Sequence, residues 1–531
     1  MLTLLRERLH TALACVALAL AVPGATAPAQ PAATPGAPPT PAAPAVACAS
    51  LAALRLPDVR ITAATAASAN TKDAAARVPH CRVAGVTGKA IRFVVVLPDA
   101  WNGRLFMGGN GGFAGSINDA ALAVANDGYA TVSTDTGHED DGGPARWALD
   151  DPERRLDFGR VAVHRTIEVA KAVVHAYYGV APADAYFEGC SNGGRQALME
   201  AQRYPSDFDG IIAGAPAIPW SAIGAAFLRN AQAAFPTRAA FAHPALRQAA
   251  LDALSAAVLQ QCDLLDGVRD GIVGDPRACH FRLGRVRACP ADRAGAGCLT
   301  RAERALAATI YAPTTDAAGR VVYPGQPVGG ENLPGGWDAW ITGRDTALVR
   351  AHDAPTLQLM FAEDGARYFM TGDPTWDYAR YDRARYARDA RPLATVLDAA
   401  DPDLATFFAH GGRLLLYHGW ADPALNPLET IDYYERVRAR DARARDRARL
   451  YLLPGVLHCG GGTGPSEVPW LRTLAAWVER GAAPGRLVAA RRDTSGRVVR
   501  TRPLCAYPAR AAYTGTGSTD DAASFACRVG R

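Results

Sequence analysis

Gly189-Cys190-Ser191-Asn192-Gly193 is a G-x-S-x-G pentapeptide set between the apolar run Ala185 to Glu188 and the helix-patterned stretch Asn192 to Arg203. A strand-turn-helix setting of this kind lifts the serine hydroxyl above the edge of a sheet. Alone, the pentapeptide reads equally as a Gly-rich turn with a solvated serine; the flanking pattern favours a nucleophile. A serine hydroxyl attacks poorly near neutral pH, so it needs an imidazole to take its proton and an acid to fix that imidazole's tautomer. In such folds the chain order is Ser, acid, His. Asp422 follows the apolar run Arg413 to Tyr417, and His458 follows the run Ala448 to Leu453, so both would stand at the carboxyl edge of the sheet. Asp401, Asp403 and His410 precede the strand and His418 ends it, and these are read as structural. The predicted catalytic set is Ser191, Asp422 and His458.

The tetrahedral oxyanion of acyl transfer needs backbone N–H donors aimed at it beforehand. The N–H of Asn192 is one candidate. The second is expected from the loop Gly108 to Gly112, at Gly111 or Gly112, because glycine lets the main chain approach substrate closely. Phosphate binding by this loop is excluded, since no Lys and Ser/Thr follow it. Cys190 precedes the serine and Cys459 follows the histidine, so a Ser191–His458 contact would also bring two thiols within disulfide reach.

These residues need a sheet to carry them. Ile91 to Leu97, Arg104 to Met107, Ala130 to Ser133, Ala185 to Glu188 and Gly210 to Ala215 are short buried-strand runs, and Phe158 to Tyr178 has helical spacing. Strands alternating with helices predict an α/β fold with a mostly parallel sheet. From Pro219 to about Pro402 the rhythm breaks into Ala-rich helices, Gly/Pro turns, four cysteines and many aromatics, including Trp337, Trp340, Tyr368, Phe369 and Trp376. That stretch reads as an insertion. The sheet resumes with Arg413 to Tyr417, a helix over Pro427 to Arg438, the strand Ala448 to Leu453 and a helix over Pro469 to Arg480, and a hairpin of Leu487 to Ala490 with Val498 to Thr501 closes the chain.

The 531 residues carry 57 Lys+Arg against 52 Asp+Glu, with 49% hydrophobic and 21% charged residues. This composition excludes wholesale disorder, and a scattered surplus of +5 argues against nucleic acid as a partner. Residues 1–27 read as a secretory signal peptide: Arg6 and Arg8, an apolar run to Val22, then Ala25-Thr26-Ala27. Residues 28–46 form a Pro/Ala-rich tether. The folded body is expected over 47–218 and 403–531, with an inserted domain over 219–402. Later segments are too short or too charged to span a bilayer, so a secreted or periplasmic chain without stable membrane association is expected. Of 11 Cys, ten lie beyond the signal segment, without C-x-x-C spacing, and counting alone leaves their connectivity open.

The chain resembles the tannase and feruloyl esterase family of α/β-hydrolases. The resemblance rests on Pro98 to Arg104, Gly108 to Gly112, Ser133 to His138, Gly189 to Gln196, His418 to Pro423 and His458-Cys459. It implies the triad Ser191, Asp422 and His458, and the disulfides Cys190–Cys459, Cys48–Cys81, Cys262–Cys279, Cys289–Cys298 and Cys505–Cys527. In Cys262 to Ile272, three carboxylates on one turn would repel one another unless a hard cation neutralised them. On the residues alone a plain Asp/Gly turn fits equally. The resemblance implies a structural Ca2+ held by Asp263, Asp266, Asp270 and the carbonyls of Val268 and Ile272, with no organic cofactor. It also implies that the insertion 219–402 is a lid over the active site, and a secreted serine esterase acting on small aromatic esters, feruloyl (hydroxycinnamoyl) or galloyl. Mono(hydroxyethyl) terephthalate is the alternative substrate; a glutamate in place of Asn192 would favour it, and a lid arginine such as Arg367 could hold its free carboxylate. A non-catalytic, calcium-stabilised binding protein on the same scaffold is the contrasting reading. Oligomeric state is not encoded in these motifs.

Overall fold

The computed structural model describes residues 43–69, 75–140, 143–343 and 353–529. The signal-peptide segment and almost all of the Pro/Ala tract lie outside the described residues. Nine strands form the main sheet: β1 (Val59–Ala67), β2 (His80–Thr87), β3 (Ile91–Pro98), β4 (Arg104–Gly108), β5 (Ala130–Thr134), β6 (Asp184–Cys190), β7 (Gly210–Gly214), β8 (Arg413–Gly419) and β9 (Ala448–Leu453). Their spatial order is β1-β2-β3-β5-β4-β6-β7-β8-β9. β1, β2, β3 and β5 pair antiparallel, and every pairing from β5 through β4 to β9 is parallel.

The middles of the parallel strands are mostly apolar because both faces of the sheet are covered. β5 and β7 are buried at every residue. Alternation still sorts side chains between the faces: in β6, Ala185 and Phe187 join one core with Phe93, Leu105 and Met107, whereas Tyr186 joins the other with Ile212, Tyr417 and Tyr451. The first face is covered by α1 (Ala162–Tyr178), whose Val163, Ile167, Ala170 and Val174 recur at helical spacing. α2 (Asn192–Arg203) adds Ala197, Leu198 and Ala201 to it. The opposite face is covered by α5 (Trp470–Arg480) through Trp470, Leu474 and Trp477. Between them in sequence run α3 (Trp220–Ala234) and α4 (Pro427–Arg440).

The segment between β7 and β8 contributes no strand to this sheet among the described residues and builds cores of its own, one around Phe227, Phe235 and Leu359, another around Leu254, Ile310 and Trp337. It belongs to the same compact unit as the sheet. At the C-terminal end, β10 (Arg486–Arg492) pairs with β11 (Val498–Cys505), and β12 (Ala509–Tyr513) with β13 (Phe525–Val529). Ten cysteines form five disulfides: Cys48–Cys81, Cys190–Cys459, Cys262–Cys279, Cys289–Cys298 and Cys505–Cys527. Among the described residues no helix is long and apolar enough to cross a membrane.

Candidate active site

β6 ends at Cys190 and α2 begins at Asn192, so the whole reversal falls on Ser191, which takes φ 65° and ψ −123°. A non-glycine residue there is strained, and the strain persists only where surrounding packing enforces it. At Gly189 a Cβ would lie 2.4 Å from the Gly193 carbonyl oxygen, so no side chain is tolerated as the helix folds back on the strand. The Ser191 N–H donates to the Gly214 carbonyl at 3.0 Å, fixing the elbow to β7.

Asp422 and His458 arrive on the loops after β8 and β9, adjacent parallel strands. Asp422 Oδ2 is 2.7 Å from His458 Nδ1, while Oδ1 accepts the N–H groups of Ala424 (2.8 Å) and Leu425 (2.9 Å). The carboxylate is fully buried. Burial alone would raise its pKa, but the imidazoles of His458 and His418 outweigh that effect and hold it well below the usual carboxylate range. An ionised Asp422 against Nδ1 puts the proton of a neutral His458 on that nitrogen and leaves Nε2 as the acceptor. The Cys190–Cys459 bond, with Cα atoms 5.9 Å apart, ties the histidine loop to the elbow. Ser191 and His458 line one narrow cavity of about 40 Å3 with Gly112, Asn192, Trp220, Phe227, Trp340 and Phe361.

The loop after β4 is clamped to α2. The Asn110 N–H donates to Gln196 Oε1 (2.9 Å), and Asn192 Nδ2 donates to the Asn110 carbonyl (3.1 Å). Arg195 Nε in turn donates to Asn192 Oδ1 (2.8 Å). A Cβ on Gly109 would meet Gly193 Cα at 2.9 Å, which is why the two segments can close up. Gly112 lines the cavity, whereas Gly111 is exposed. As a first-turn residue of α2, Asn192 has a backbone N–H with no partner inside the helix. No role was read for the side chains of Asn110, Arg195 and Gln196; their signal is the loop Gly108 to Gly112 for the first and the run Gly189 to Gln196 for the other two.

Of the aromatic residues noted in the insertion, Trp340 reaches the cavity, its ring 5.1 Å from that of His458. Trp337, Tyr368, Phe369 and Trp376 pack into cores instead. Trp220, Phe227 and Phe361 complete the aromatic lining and lay within Ala-rich stretches with no distinguishing pattern. Arg367 donates to Glu363 and to the Trp376 carbonyl and is not among the residues lining this cavity. Asp401 and Asp403 accept from the backbone N–H groups of Asp403 and Ala405. His418 had been set aside in the sequence, yet it touches Asp422, with Nε2 3.1 Å from Oδ2.

In the turn after Cys262, Asp263 accepts the N–H groups of Asp270 and Gly271, Asp266 that of Val268, and Asp270 that of Ile272. Asp270 also pairs with Arg502. Burial, then Asp270 and Asp263, push the Asp266 carboxyl up to about 6. Among the described residues no three His, Cys, Asp or Glu side chains are gathered so as to hold a metal ion. Two larger cavities, about 480 Å3 behind α3 and about 590 Å3 beside α5, contain none of Ser191, Asp422 and His458.

A strained serine elbow at the edge of a parallel sheet, with a buried Asp–His pair across the cavity, defines an α/β-hydrolase site. The family model for tannase and feruloyl esterase matches residues 75–528. An uncharacterized esterase of Xanthomonas campestris pv. campestris is 39% identical, with 91% of each chain covered. A mono(2-hydroxyethyl) terephthalate hydrolase of Piscinibacter sakaiensis is 33% identical over 88% of each chain. Among solved structures, feruloyl esterase B from Aspergillus oryzae is similar with a TM-score of 0.80 at 26% identity, covering 91% of this chain and 99% of that one. The chain belongs to the tannase and feruloyl esterase family and is a carboxylic ester hydrolase.

Proposed function

We propose that the chain is an exported serine esterase that cleaves esters of aromatic acids, feruloyl or galloyl, through an acyl-enzyme. The observation that carries this is the 2.7 Å Asp422–His458 contact facing a cavity that His458 shares with Ser191. Ser191 Oγ attacks the ester carbonyl while its proton passes to His458 Nε2. The imidazolium is stabilised by Asp422 through Nδ1–H. The oxyanion is received by the N–H of Asn192 and by the glycine loop, at Gly112, the glycine that lines the cavity. Collapse expels the alcohol with the proton from His458, and water repeats the sequence to release the acid. The slot among Trp220, Phe227, Trp340 and Phe361 is apolar and narrow, a shape that a flat ring fills after side-chain rotation. Export accords with five disulfides.

Labelling of Ser191 by a serine-directed phosphonate, lost in His458→Ala, tests the nucleophile. Rates on methyl ferulate, methyl gallate and mono(2-hydroxyethyl) terephthalate rank the acyl groups, and a clear preference for the terephthalate would replace the first reading. For that substrate Arg367, which pairs with Glu363 and is not among the residues lining the cavity, is a weaker candidate for the carboxylate partner.

The same reading includes a structural Ca2+ at the turn after Cys262. The donors suit such an ion in kind, three carboxylates and the carbonyls of Val268 and Ile272, but the three side chains are not gathered around one point; each accepts a backbone N–H of the turn, and the half-buried Asp266 lies beside two like charges. The ion would supply charge neutralisation to the turn and no step of the reaction. One calcium per chain by elemental analysis and a lower melting temperature with chelator are expected; an unchanged melting temperature without copurifying calcium refutes it.

A further inference from the structure

His418, the penultimate residue of β8, is fully buried beneath the catalytic loops. Its Nε2 faces two acceptors, Asp422 Oδ2 and the Leu425 carbonyl, each at 3.1 Å. A nitrogen facing two acceptors carries the proton. In the neutral ring Nδ1 is then the acceptor, and the Thr430 hydroxyl on α4, 2.8 Å away, is placed to donate to it. Thr430 thus sets the tautomer of His418 as Asp422 sets that of His458.

We infer that His418 is a positioning residue for the esterase reaction: it holds the Asp422 carboxylate in the plane and charge state that His458 requires, while touching no reacting atom. This rests on the proposed triad. With His418 present, Asp422 receives four donors, two N–H groups on Oδ1 and two imidazoles on Oδ2. The same Nε2–H also binds the carbonyl of Leu425, a residue of the cavity wall, so one ring ties the acid to that wall. Without it, one face of a buried anion loses its donor, and the carboxylate is free to turn away from His458. The titratable groups around the cluster are Asp422, His458, Tyr323, whose hydroxyl accepts the Asn426 N–H, and Glu429 on α4.

The test compares His418→Leu, which keeps bulk without a donor, with His418→Gln, whose amide can still donate near the Nε2 position. A hydrogen bond to a buried charge is worth a factor of about 10 to 100, so kcat of His418→Leu is expected to fall by that factor with KM within about twofold. Removing the donor concentrates the carboxylate charge on His458, so the acidic limb of kcat/KM is expected to move to higher pH. His418→Gln is expected to regain most of the kcat, a rescue that a loss of packing alone would not show. If His418→Leu fails to fold, Thr430→Val removes the hydroxyl that orients the ring, and a fall in kcat without a change in KM is expected there. A folded His418→Leu with wild-type kcat and an unmoved acidic limb overturns the inference, as does a Thr430→Val variant with wild-type kcat where His418→Leu cannot be obtained. Phosphonate labelling separates this from the triad reading: Ser191 in His418→Leu should still label to one equivalent, more slowly, whereas retained activity in Ser191→Ala would sink the triad itself.

Discussion

Removing the Cys190–Cys459 bond, by changing both residues to alanine, tests whether the staple acts on stability or on geometry. The bond closes a loop with a sequence separation of 269. Chain-entropy scaling puts closure of such a loop at about 5 to 6 kcal/mol, at the top of the measured range of about 0 to 5. In a folded unit of this size, even about 5 kcal/mol corresponds to a fall in melting temperature of only about 5 °C, because the unfolding entropy grows with length. The double variant should therefore be folded at 25 °C, and its activity reports on the site. Cys459 is held at φ 61°, beside His458. Freed from the bond, an alanine there gains about 1 kcal/mol by leaving the left-handed region and carries the imidazole with it. A displacement of about 1 Å costs on the order of 100-fold in rate. The expected result is a 10- to 100-fold lower kcat in steady-state ester hydrolysis, with little change in KM. Cys190→Ala with Cys459→Gly, which tolerates positive φ, should recover part of it. Wild-type kcat in the double alanine variant would refute the geometric role.

Asp422→Asn should lower kcat by roughly ten-thousand-fold while leaving the melting temperature within a few degrees, because an amide can donate to Nδ1 and invert the histidine tautomer; steady-state kinetics beside a thermal melt checks it. Gly109→Ala pushes a Cβ to within 2.9 Å of Gly193 Cα, and the resulting shift of the glycine loop should reduce kcat up to about 100-fold with KM preserved. Glu188 is pushed up to about 7 by burial. With its folded pKa above the unfolded value, its contribution is complete below about pH 4 and is lost as pH rises to about 7. Glu188→Gln should therefore raise the melting temperature at pH 8, by the equivalent of up to about 3 kcal/mol, and leave it unchanged at pH 4. A melt series in which the gap between variant and wild type does not widen from pH 4 to pH 8 would contradict the assignment of burial as the cause.

The central parallel strands were legible because they are buried on both faces and read as unbroken apolar runs: Gly210 to Gly214 and Leu414 to Tyr417 are visible as such. β1 was not, since VRITAATAA is an alanine-rich edge strand with exposed or half-exposed residues throughout, and alanine carries little strand signal. The helix from Phe158 was seen, but the π-helical turn Asp157–Val161 that precedes α1 has no periodicity of its own. At the site, Ser191, Asp422 and His458 were readable because each follows a strand in a fixed order. His418 was read as structural because it stands at the end of its strand, and it is buried there; its contact with Asp422 was out of reach because it depends on a loop that doubles back by four residues. The lining of the cavity was out of reach, because Trp220, Phe227 and Phe361 are set by how the insertion packs and not by any local spacing.

The order of the cysteines has a consequence for biosynthesis. Four of the five pairs join neighbours along the chain, but Cys190 must wait for Cys459 while Cys262, Cys279, Cys289 and Cys298 are made in between. A nascent polypeptide oxidised as it emerges would capture Cys190 on the first thiol to follow. Maturation to an active enzyme thus demands either a disulfide isomerase or a delay of oxidation until the last strands are laid down, and hosts lacking both should yield protein that is soluble but silent.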